Sequence, residues 1–271
     1  MSAIRAWLLL ALGWGTVGSA AAEPVPQVGP ARGALLVVGG GSMAKLWPVF
    51  LELAGGKDAH IVVIPTAGEN ITGDDSAVKA LRALGVAQVV QLHTRDPKEA
   101  DTEVFVAPLR AARGVWISGG RQWRLADSYL GTRTLRELRA LLDRGGVIGG
   151  SSAGATIQGS YLVRGAPSGN AIMMSPGHEV GFGFLRQTAI DQHVDTRQRA
   201  EDLRPVLRAH PALLGLALDE ATALIVRGDR ADIVGAGGVR FFATPEAPAI
   251  LLRAGTIYDL AARKAVVSGA P

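Results

Sequence analysis

The segment Val147-Ile148-Gly149-Gly150-Ser151-Ser152-Ala153-Gly154-Ala155 passes from an apolar run, through a Gly-rich turn, into a helix-like stretch. It matches G-x-S-x-G, with Ser152 between Gly150 and Gly154. A serine on such a strand-to-helix turn projects its hydroxyl clear of the sheet, and small neighbours permit the strained backbone. The first free N–H groups of the helix point to the same place, which suits a developing oxyanion. A Gly/Ser loop that only lets a helix pack closely on a strand has the same pattern, so both interpretations are open.

Short apolar runs alternate with amphipathic stretches on both sides of this segment. The runs predict buried strands, since they are bounded by Gly or Pro: Ala34–Val38, His60–Ile64, Gln88–Leu92, Val115–Ser118 and Val147–Gly149. The amphipathic stretches predict helices: Ala44–Leu53, Ala77–Leu84, Val104–Ala112 and Thr134–Asp143. This alternation is typical of an α/β fold with a mainly parallel sheet and helices on both faces.

The C-terminal third departs from this alternation. We expect a helix over Arg199–His210 and strands at Gln187–Ile190, Gly215–Leu218, Thr222–Val226 and Asp232–Val234, with a turn at Arg227-Gly228-Asp229. These short spacings favour antiparallel additions to the sheet. Because the chain shows no internal repeat or linker, we predict one domain over residues 33–271.

Composition excludes several functional classes. The chain has 271 residues and a formal net charge of +4, with basic residues scattered rather than clustered. A nucleic-acid partner is therefore not expected. There is no cysteine, which rules out disulfides, cysteine nucleophiles and thiolate metal sites.

The N-terminus has the pattern of a secretory signal peptide. Arg5 precedes a short apolar core over Ala6–Trp14, and Ala20-Ala21-Ala22 fits a cleavage site. We predict a signal peptide over residues 1–22, cut near Ala22, and a loose Pro-rich leader over 23–32. The mature protein is then periplasmic or secreted, with no membrane contact after cleavage. An uncleaved N-terminal anchor is the alternative.

A serine nucleophile needs a base, and the chain has five histidines. His193 directly follows an apolar run, so it falls at the end of a strand, where chemistry collects in open α/β sheets. A loop histidine that caps the next helix would look the same. Three further Gly-rich turns also follow predicted strands: Gly39-Gly40-Gly41-Ser42, Thr66-Ala67-Gly68 and Gly119-Gly120-Arg121-Gln122. The first is a poor dinucleotide fingerprint, and no metal-binding motif occurs, so we expect no cofactor and no metal.

Four segments in this order resemble the cyanophycinase family of serine peptidases, relatives of aspartyl dipeptidase. They are Ser118–Gln122, Gly149–Ala155, Ile190–His193 and Leu216–Ala223, within a likeness over residues 33–235. The resemblance implies a flavodoxin-like sheet of the class I glutamine amidotransferase kind, a single peptidase domain and no cofactor. It also implies hydrolysis of cyanophycin, a polymer of aspartate with β-linked arginines.

The resemblance also implies roles for residues of this chain. Ser152 would be the nucleophile and His193 its base, with the N–H groups of Gly120 and Ala153 as the oxyanion hole. The substrate pocket would be lined by Gln122, Asp191, Gln192, Arg197 and Arg199. The two arginines can recognise carboxylates, although such residues are more often a solvated helix face.

Two positions depart from the family pattern. The loop after the nucleophile's helix, Gly165–Asn170, has no carboxylate to complete a triad. Asn170 is then the expected orienting residue for the histidine, as asparagine is in papain-like sites, with Glu179 and Glu220 as alternatives. In addition, Asp202 stands where the family would have a further basic residue after Arg199.

The sequence thus predicts a serine peptidase that cleaves aspartyl, arginyl or isopeptide-linked substrates through an acyl-enzyme on Ser152. The alternative from another class is a non-catalytic binding protein on the same scaffold, motivated by the missing loop carboxylate. A related esterase or amidase is a third interpretation. The oligomeric state is open, with a homodimer as one candidate.

Overall fold

A computed structural model describes residues 27–266 of the chain. It has fourteen strands in this range: β1 Ala34–Val38, β2 Ile61–Ile64, β3 Val89–Gln91, β4 Gly114–Ile117, β5 Val147–Ser151, β6 Gly159–Tyr161, β7 Leu185–Asp191, β8 Leu214–Leu218, β9 Thr222–Arg227, β10 Arg230–Gly235, β11 Gly238–Phe242, β12 Ile250–Arg253, β13 Ile257–Asp259 and β14 Lys264–Val266. The same range has eight helices: α1 Trp47–Ala54, α2 Ser76–Ala83, α3 Pro97–Ala100, α4 Glu103–Ala111, α5 Gln122–Tyr129, α6 Arg133–Asp143, α7 Ala153–Thr156 and α8 Arg204–Ala209.

The main sheet has nine strands in the order β14-β13-β10-β9-β1-β5-β4-β2-β3. The five strands from β1 to β3 in that order are parallel. Strand β9 joins the free side of β1 in the antiparallel sense, and β10, β13 and β14 extend it. This arrangement confirms the predicted α/β class, a mainly parallel sheet of flavodoxin-like type with antiparallel additions in the C-terminal third.

The parallel strands are buried on both faces, which explains why they are continuous apolar runs. Along β1, Leu35 and Val37 face the side covered by α4, α5 and α6. Leu36 and Val38 face the side covered by α1 and α2. On that second side the rings of Trp47 and Trp116 lie 4.5 Å apart.

A second sheet of five strands, in the order β12-β11-β8-β7-β6, was not anticipated as a separate layer. Its central strand β8 is buried on both faces: Leu214, Leu216 and Leu218 join the core of the main sheet, and Ala217 packs in the cluster beneath α8. Strands β6, β7 and β8 are parallel, so β7 and β8 bring their carboxyl ends to the same edge.

The predicted helix over Arg199–His210 is shorter in the structure. Only Arg204–Ala209 is helical, and Pro205 stands in its first turn, where a missing N–H costs nothing. Helices α3 and α5 were not predicted. Among the described residues no helix is long and apolar enough to cross a membrane.

The leader is bound to the domain from residue 27 onward, which corrects the expectation of a loose segment. The N–H groups of Gln27, Val28 and Gly29 donate to the Asp229 carboxylate at 2.8, 2.7 and 3.2 Å. Arg186 donates to the carbonyls of Gln27 and Gly29. The predicted signal peptide over residues 1–22, its cut near Ala22 and leader residues 23–26 lie outside the described residues.

Candidate active site

Ser152 lies on a sharp turn between β5 and α7. Its backbone has φ 57° and ψ −114°, and its N–H donates to the Val38 carbonyl at 3.1 Å. The flanking glycines are required by close packing: a Cβ on Gly150 would lie 2.2 Å from the Gly154 carbonyl oxygen, and a Cβ on Gly154 would lie 2.0 Å from that of Ile117. The G-x-S-x-G spacing therefore sets a strained turn that presents the Ser152 hydroxyl at the carboxyl edge of the sheet.

His193 lies at the same edge, two residues after β7. The Ser152 hydroxyl donates to His193 Nε2 at 2.9 Å. The backbone N–H of His193 donates to the Gly39 carbonyl at 2.8 Å, and a Cβ on Gly40 would come within 2.2 Å of the imidazole. Gly40 belongs to the Gly-rich turn after β1, so those glycines leave room for the imidazole.

The pKa of His193 is held below its usual value, chiefly because burial disfavours the imidazolium. The hydrogen bond that His193 donates to Glu220 raises this pKa, and the charge of Arg197 adds to the lowering. A neutral imidazole that accepts the serine proton is the form required of a general base.

Glu220, rather than Asn170, is the orienting partner of His193. His193 Nδ1 donates to Glu220 Oε1 at 2.5 Å. The same oxygen accepts the Thr196 hydroxyl at 3.1 Å, and the Glu220 N–H donates to Asp195 Oδ1 at 2.9 Å. Ser152, His193 and Glu220 thus form a continuous hydrogen-bonded line.

The other two residues considered for this place lie elsewhere. Asn170 is exposed, and its backbone carbonyl accepts a hydrogen bond from Arg164 at 2.9 Å. The expectation that Asn170 orients the histidine is therefore corrected. Asn170 is engaged through its backbone carbonyl, and its partner is Arg164 rather than His193. The carboxylate of Glu179 accepts the hydroxyl of Tyr161 at 2.9 Å.

Two backbone N–H groups are available beside Ser152. Ala153 is the first residue of α7, so its N–H has no intrahelical partner. Gly120 has φ +139° and packs on the turn after β2, where a Cβ would lie 2.1 Å from the Ala67 carbonyl oxygen. A Cβ on Gly119 would lie 3.7 Å from Ser152 Oγ, which brings the turn after β4 against the serine. Both predicted oxyanion donors are thus on turns that meet at Ser152.

The predicted pocket residues differ in what they can offer a ligand. Gln122 is buried and its amide nitrogen donates to the Val163 carbonyl at 2.8 Å. Asp191 is fully buried, and Arg164 takes both of its carboxylate oxygens at 2.8 Å. Direct contact of Asp191 with a substrate is thus a prediction that the structure contradicts, since no part of this residue is exposed.

Gln192, Arg197 and Arg199 are the remaining three. Arg199 is buried and its Nη1 donates to the Gln192 carbonyl at 3.1 Å and lies 3.5 Å from Gln192 Oε1. Burial lowers the pKa of Arg199, and the charge of Arg164 lowers it further. Arg197 is exposed, and its guanidinium has no hydrogen-bond partner within residues 27–266. The charges of Arg197 and Arg199 both lower the pKa of His193, so these two cations form a cation-rich wall beside that residue.

A metal centre is absent from the described part of the chain, where no group of three or more His, Asp or Glu side chains is placed to hold an ion. The arrangement on the page is instead that of a serine activated by a buried, oriented histidine beside free N–H donors. Such a constellation performs nucleophilic attack on a carbonyl.

Comparison with known proteins agrees with this geometry. The model of peptidase family S51 matches residues 35–234. The chain belongs to peptidase family S51. It is a serine-type peptidase, as the resemblance to cyanophycinases implies. The missing loop carboxylate motivated the binding-protein alternative, and Glu220 supplies a carboxylate to His193 from another segment.

Named relatives carry two descriptions. A cyanophycinase of Geminocystis herdmanii is 29% identical over 220 residues, which cover 77% of this chain and 79% of the relative. One of a Nostoc species is 30% identical over 216 residues, covering 76% and 72%. A peptidase E of Actinobacillus pleuropneumoniae is 28% identical over 200 residues, covering 70% and 81%.

Solved structures share the fold. A peptidase from an acI-B1 actinobacterium matches with a TM-score of 0.64 at 23% identity, over 84% of this chain and 97% of the other. A peptidase E homologue of Listeria monocytogenes matches with a TM-score of 0.57 at 19% identity, over 76% and 99%. These neighbours support the flavodoxin-like assignment of the sheet.

Proposed function

We propose that this peptidase hydrolyses aspartyl bonds through an acyl-enzyme on Ser152, with cyanophycin or a related isopeptide-linked acidic substrate. The observation that carries the proposal is the line from Ser152 Oγ to His193 Nε2 at 2.9 Å and from His193 Nδ1 to Glu220 at 2.5 Å. The resemblance to cyanophycinases supports the substrate class.

In the acylation step, Ser152 Oγ attacks the scissile carbonyl carbon while its proton passes to His193 Nε2. The negative charge of Glu220 stabilises the imidazolium that forms. The carbonyl oxygen becomes an oxyanion, to which the N–H groups of Gly120 and Ala153 donate. His193 then gives the proton to the leaving amine as the C–N bond breaks.

Deacylation repeats these roles with water as the nucleophile. His193 Nε2 takes a proton from the water, whose oxygen attacks the ester carbonyl. Collapse of the second oxyanion releases the acid product and returns the proton to Ser152. No step needs a cofactor.

The cation-rich wall supports an acidic substrate. Arg197 and Arg199 follow His193 closely in the chain, and neither guanidinium forms a hydrogen-bonded ion pair among the described residues. A substrate carboxylate would meet planar donors suited to it. The charge of Asp202, which departs from the family pattern, is partly neutralised by Arg164 at 2.6 Å. Release of dipeptides from a chain end, as an exopeptidase, is the form of cleavage we propose.

The first test is product analysis by mass spectrometry. The mature protein and its Ser152→Ala variant are incubated with cyanophycin and with α- and β-aspartyl dipeptides. Release of β-aspartyl-arginine that depends on Ser152 supports the proposal in full. Turnover of a dipeptide without cleavage of the polymer would indicate that the substrates are small aspartyl peptides. Equal activity of the Ser152→Ala variant overturns the catalytic assignment. A preference for simple esters over aspartyl peptides would indicate an esterase.

We also propose that the protein acts in the periplasm or outside the cell. Residues 1–22 support this by their pattern of Arg5, a short apolar core and an Ala-rich cleavage site. Expression of the full chain in a bacterial host, followed by fractionation and N-terminal sequencing, tests the proposal. A mature N-terminus near Glu23 in the periplasmic fraction is expected, whereas an intact cytoplasmic chain contradicts it.

A further inference from the structure

Arg164 is a buried side chain that the proposed chemistry does not use. It follows β6 with φ +56°, and its side chain is 3% exposed. Its Nε and Nη2 donate to the two carboxylate oxygens of Asp191, each at 2.8 Å. Nη2 also donates to Asp202 at 2.6 Å, and Nη1 to the Asn170 carbonyl at 2.9 Å. The planar, bidentate pair of Arg164 with Asp191 is among the strongest ion-pair geometries in proteins.

Arg199 is the second cation near the same carboxylate. Its Nη1 is 3.8 Å from Asp191 Oδ1, beyond hydrogen-bond distance, and its side chain is 9% exposed. Its Nε and Nη2 donate to no acceptor within residues 27–266. Arg199 is therefore a buried cation with two unused donors, although a fully buried carboxylate is close by.

The two arginines compete for Asp191. Within the described chain they are the only cations within 4 Å of this carboxylate. A buried carboxylate without a hydrogen-bonded cation is strongly unfavourable, so whichever guanidinium is present is drawn to it. Arg164 holds both oxygens, which leaves Arg199 at the longer distance.

We propose that Arg164 is a positioning residue: by sequestering Asp191 it keeps the Arg199 guanidinium free for a substrate carboxylate. The proposal rests on the proposed function, because it assigns the anion-binding role to Arg199. Asp202 acts as the second anchor of Arg164 and fixes the direction of Nη2. The acidic residue at position 202 thus belongs to a charge arrangement that includes Arg164 and supports anion binding at Arg199.

The test measures binding rather than turnover. Each variant is made in the Ser152→Ala background. The affinity is measured by calorimetry for β-aspartyl-arginine and for its diamide, in which both carboxylates are replaced by neutral amides. In Arg164→Met, Asp191 captures Arg199, and the Kd for the dipeptide rises at least tenfold. The Kd for the diamide changes less than threefold, since it has no carboxylate for Arg199.

A second substitution separates this role from a merely structural one. Adding Asp191→Asn to Arg164→Met removes the charge that captures Arg199, and the Kd of the double variant returns to within about threefold of the parent. A purely structural role predicts no rescue, because two packing partners are then altered. Arg164→Lys, which keeps a cation at Asp191, gives an intermediate Kd and serves if Arg164→Met does not fold.

Arg144→Met is the matched control. Arg144 donates to the carbonyls of Leu109 and Ala112 and directly follows α6, at the end of that helix away from the site. This change therefore lowers the Tm without changing the Kd. An unchanged Kd in Arg164→Met, or a Kd of the double variant no lower than that of the single one, overturns the inference.

Labelling of Ser152 in the wild-type protein by a fluorophosphonate distinguishes failure of this inference from failure of the proposed function. Labelling without dipeptide binding overturns the inference and leaves the assignment of Ser152 as nucleophile intact. Absent labelling overturns the proposed function.

Discussion

Glu220 Oε1 lies 2.5 Å from His193 Nδ1, on the side of the imidazole opposite to Ser152. The carboxylate comes from the end of β8 in the second sheet, whereas Ser152 comes from the end of β5 in the main sheet. The candidate catalytic line therefore joins the two sheets, and its geometry depends on how they pack. This relationship gives a direct test of which side chain orients the histidine.

Glu220→Ala is expected to lower kcat by about 10²- to 10⁴-fold, because the imidazolium loses its counter-charge and His193 its fixed tautomer. Asn170→Ala should change kcat less than twofold, since within residues 27–266 the Asn170 side chain has no hydrogen-bond partner and only its backbone carbonyl is engaged. Steady-state kinetics on the two folded variants provide the measurement. A loss of equal size in Asn170→Ala would restore the asparagine as the orienting residue.

The pH profile of kcat/KM should have its acid limb below pH 6.5. Burial lowers the pKa of His193 from that value, and the neutral imidazole is the active base, so activity persists to lower pH than an unperturbed histidine allows. In Arg197→Leu a charge that lowers this pKa is removed, and the limb moves to higher pH. In Glu220→Gln a partner that raises it is lost, and the limb moves to lower pH.

Arg208→Leu is the control for these shifts, because Arg208, on α8, pairs with the exposed Glu246. Its profile should coincide with that of the wild type. Movement of both active-site variants in the same direction would contradict the electrostatic account of the His193 pKa.

The sequence predicts the parallel half of the fold well because its signals are local. Continuous apolar runs such as β1 and β5 are buried on both faces, and their bounds are close to those predicted. The same reasoning places Ser152 and His193 at strand ends. It misses the second sheet because β6 has only three residues and because β8 pairs with β11 across two intervening strands of the main sheet, which no local pattern indicates.

The site residues show the same limit. Glu220 follows β8 just as His193 follows β7. Its position at the end of a strand makes it a candidate, but that position alone does not rank it above Asn170. Asp191 has the residue type of a ligand contact, yet its burial and its pairing with Arg164 depend on tertiary packing. Nothing in the linear sequence indicates that Arg164 reaches across to β7.

Gly40→Ala should inactivate the enzyme while leaving it folded. Gly40 has φ +113°, and a Cβ there would lie 2.2 Å from the His193 ring, so the imidazole must leave its place beside Ser152. We expect kcat to fall at least 100-fold. Gly55→Ala is the matched control: Gly55 has φ +99° with open space around it.

Both glycine changes impose backbone strain of about 1 kcal/mol. A similar fall in Tm for the two variants, with loss of kcat only in Gly40→Ala, would isolate the contact with His193. Retained kcat in Gly40→Ala would show that catalysis does not require the imidazole to lie against Gly40.

Asp229→Ala should destabilise the domain without affecting catalysis. The Asp229 carboxylate accepts the N–H groups of Gln27, Val28 and Gly29, and Val28 is buried in the main core. Loss of this acceptor releases the leader and costs about 1–3 kcal/mol of unfolding free energy, since hydrogen bonds to a charged group exceed neutral ones. Thermal and denaturant unfolding measure the change, while kcat and KM stay at wild-type values.

Asp232→Ala is the comparison within the same hairpin. Among the described residues the Asp232 carboxylate pairs only with the exposed Arg230 on its own strand, and such surface pairs contribute about 0–1 kcal/mol. A larger effect of Asp229→Ala than of Asp232→Ala is therefore expected. Equal effects would mean that the leader adds nothing to stability beyond an ordinary surface ion pair. A fall in kcat would instead couple the leader to the active site through β9, the strand that joins the Asp229 turn to the Glu220 end of the sheet.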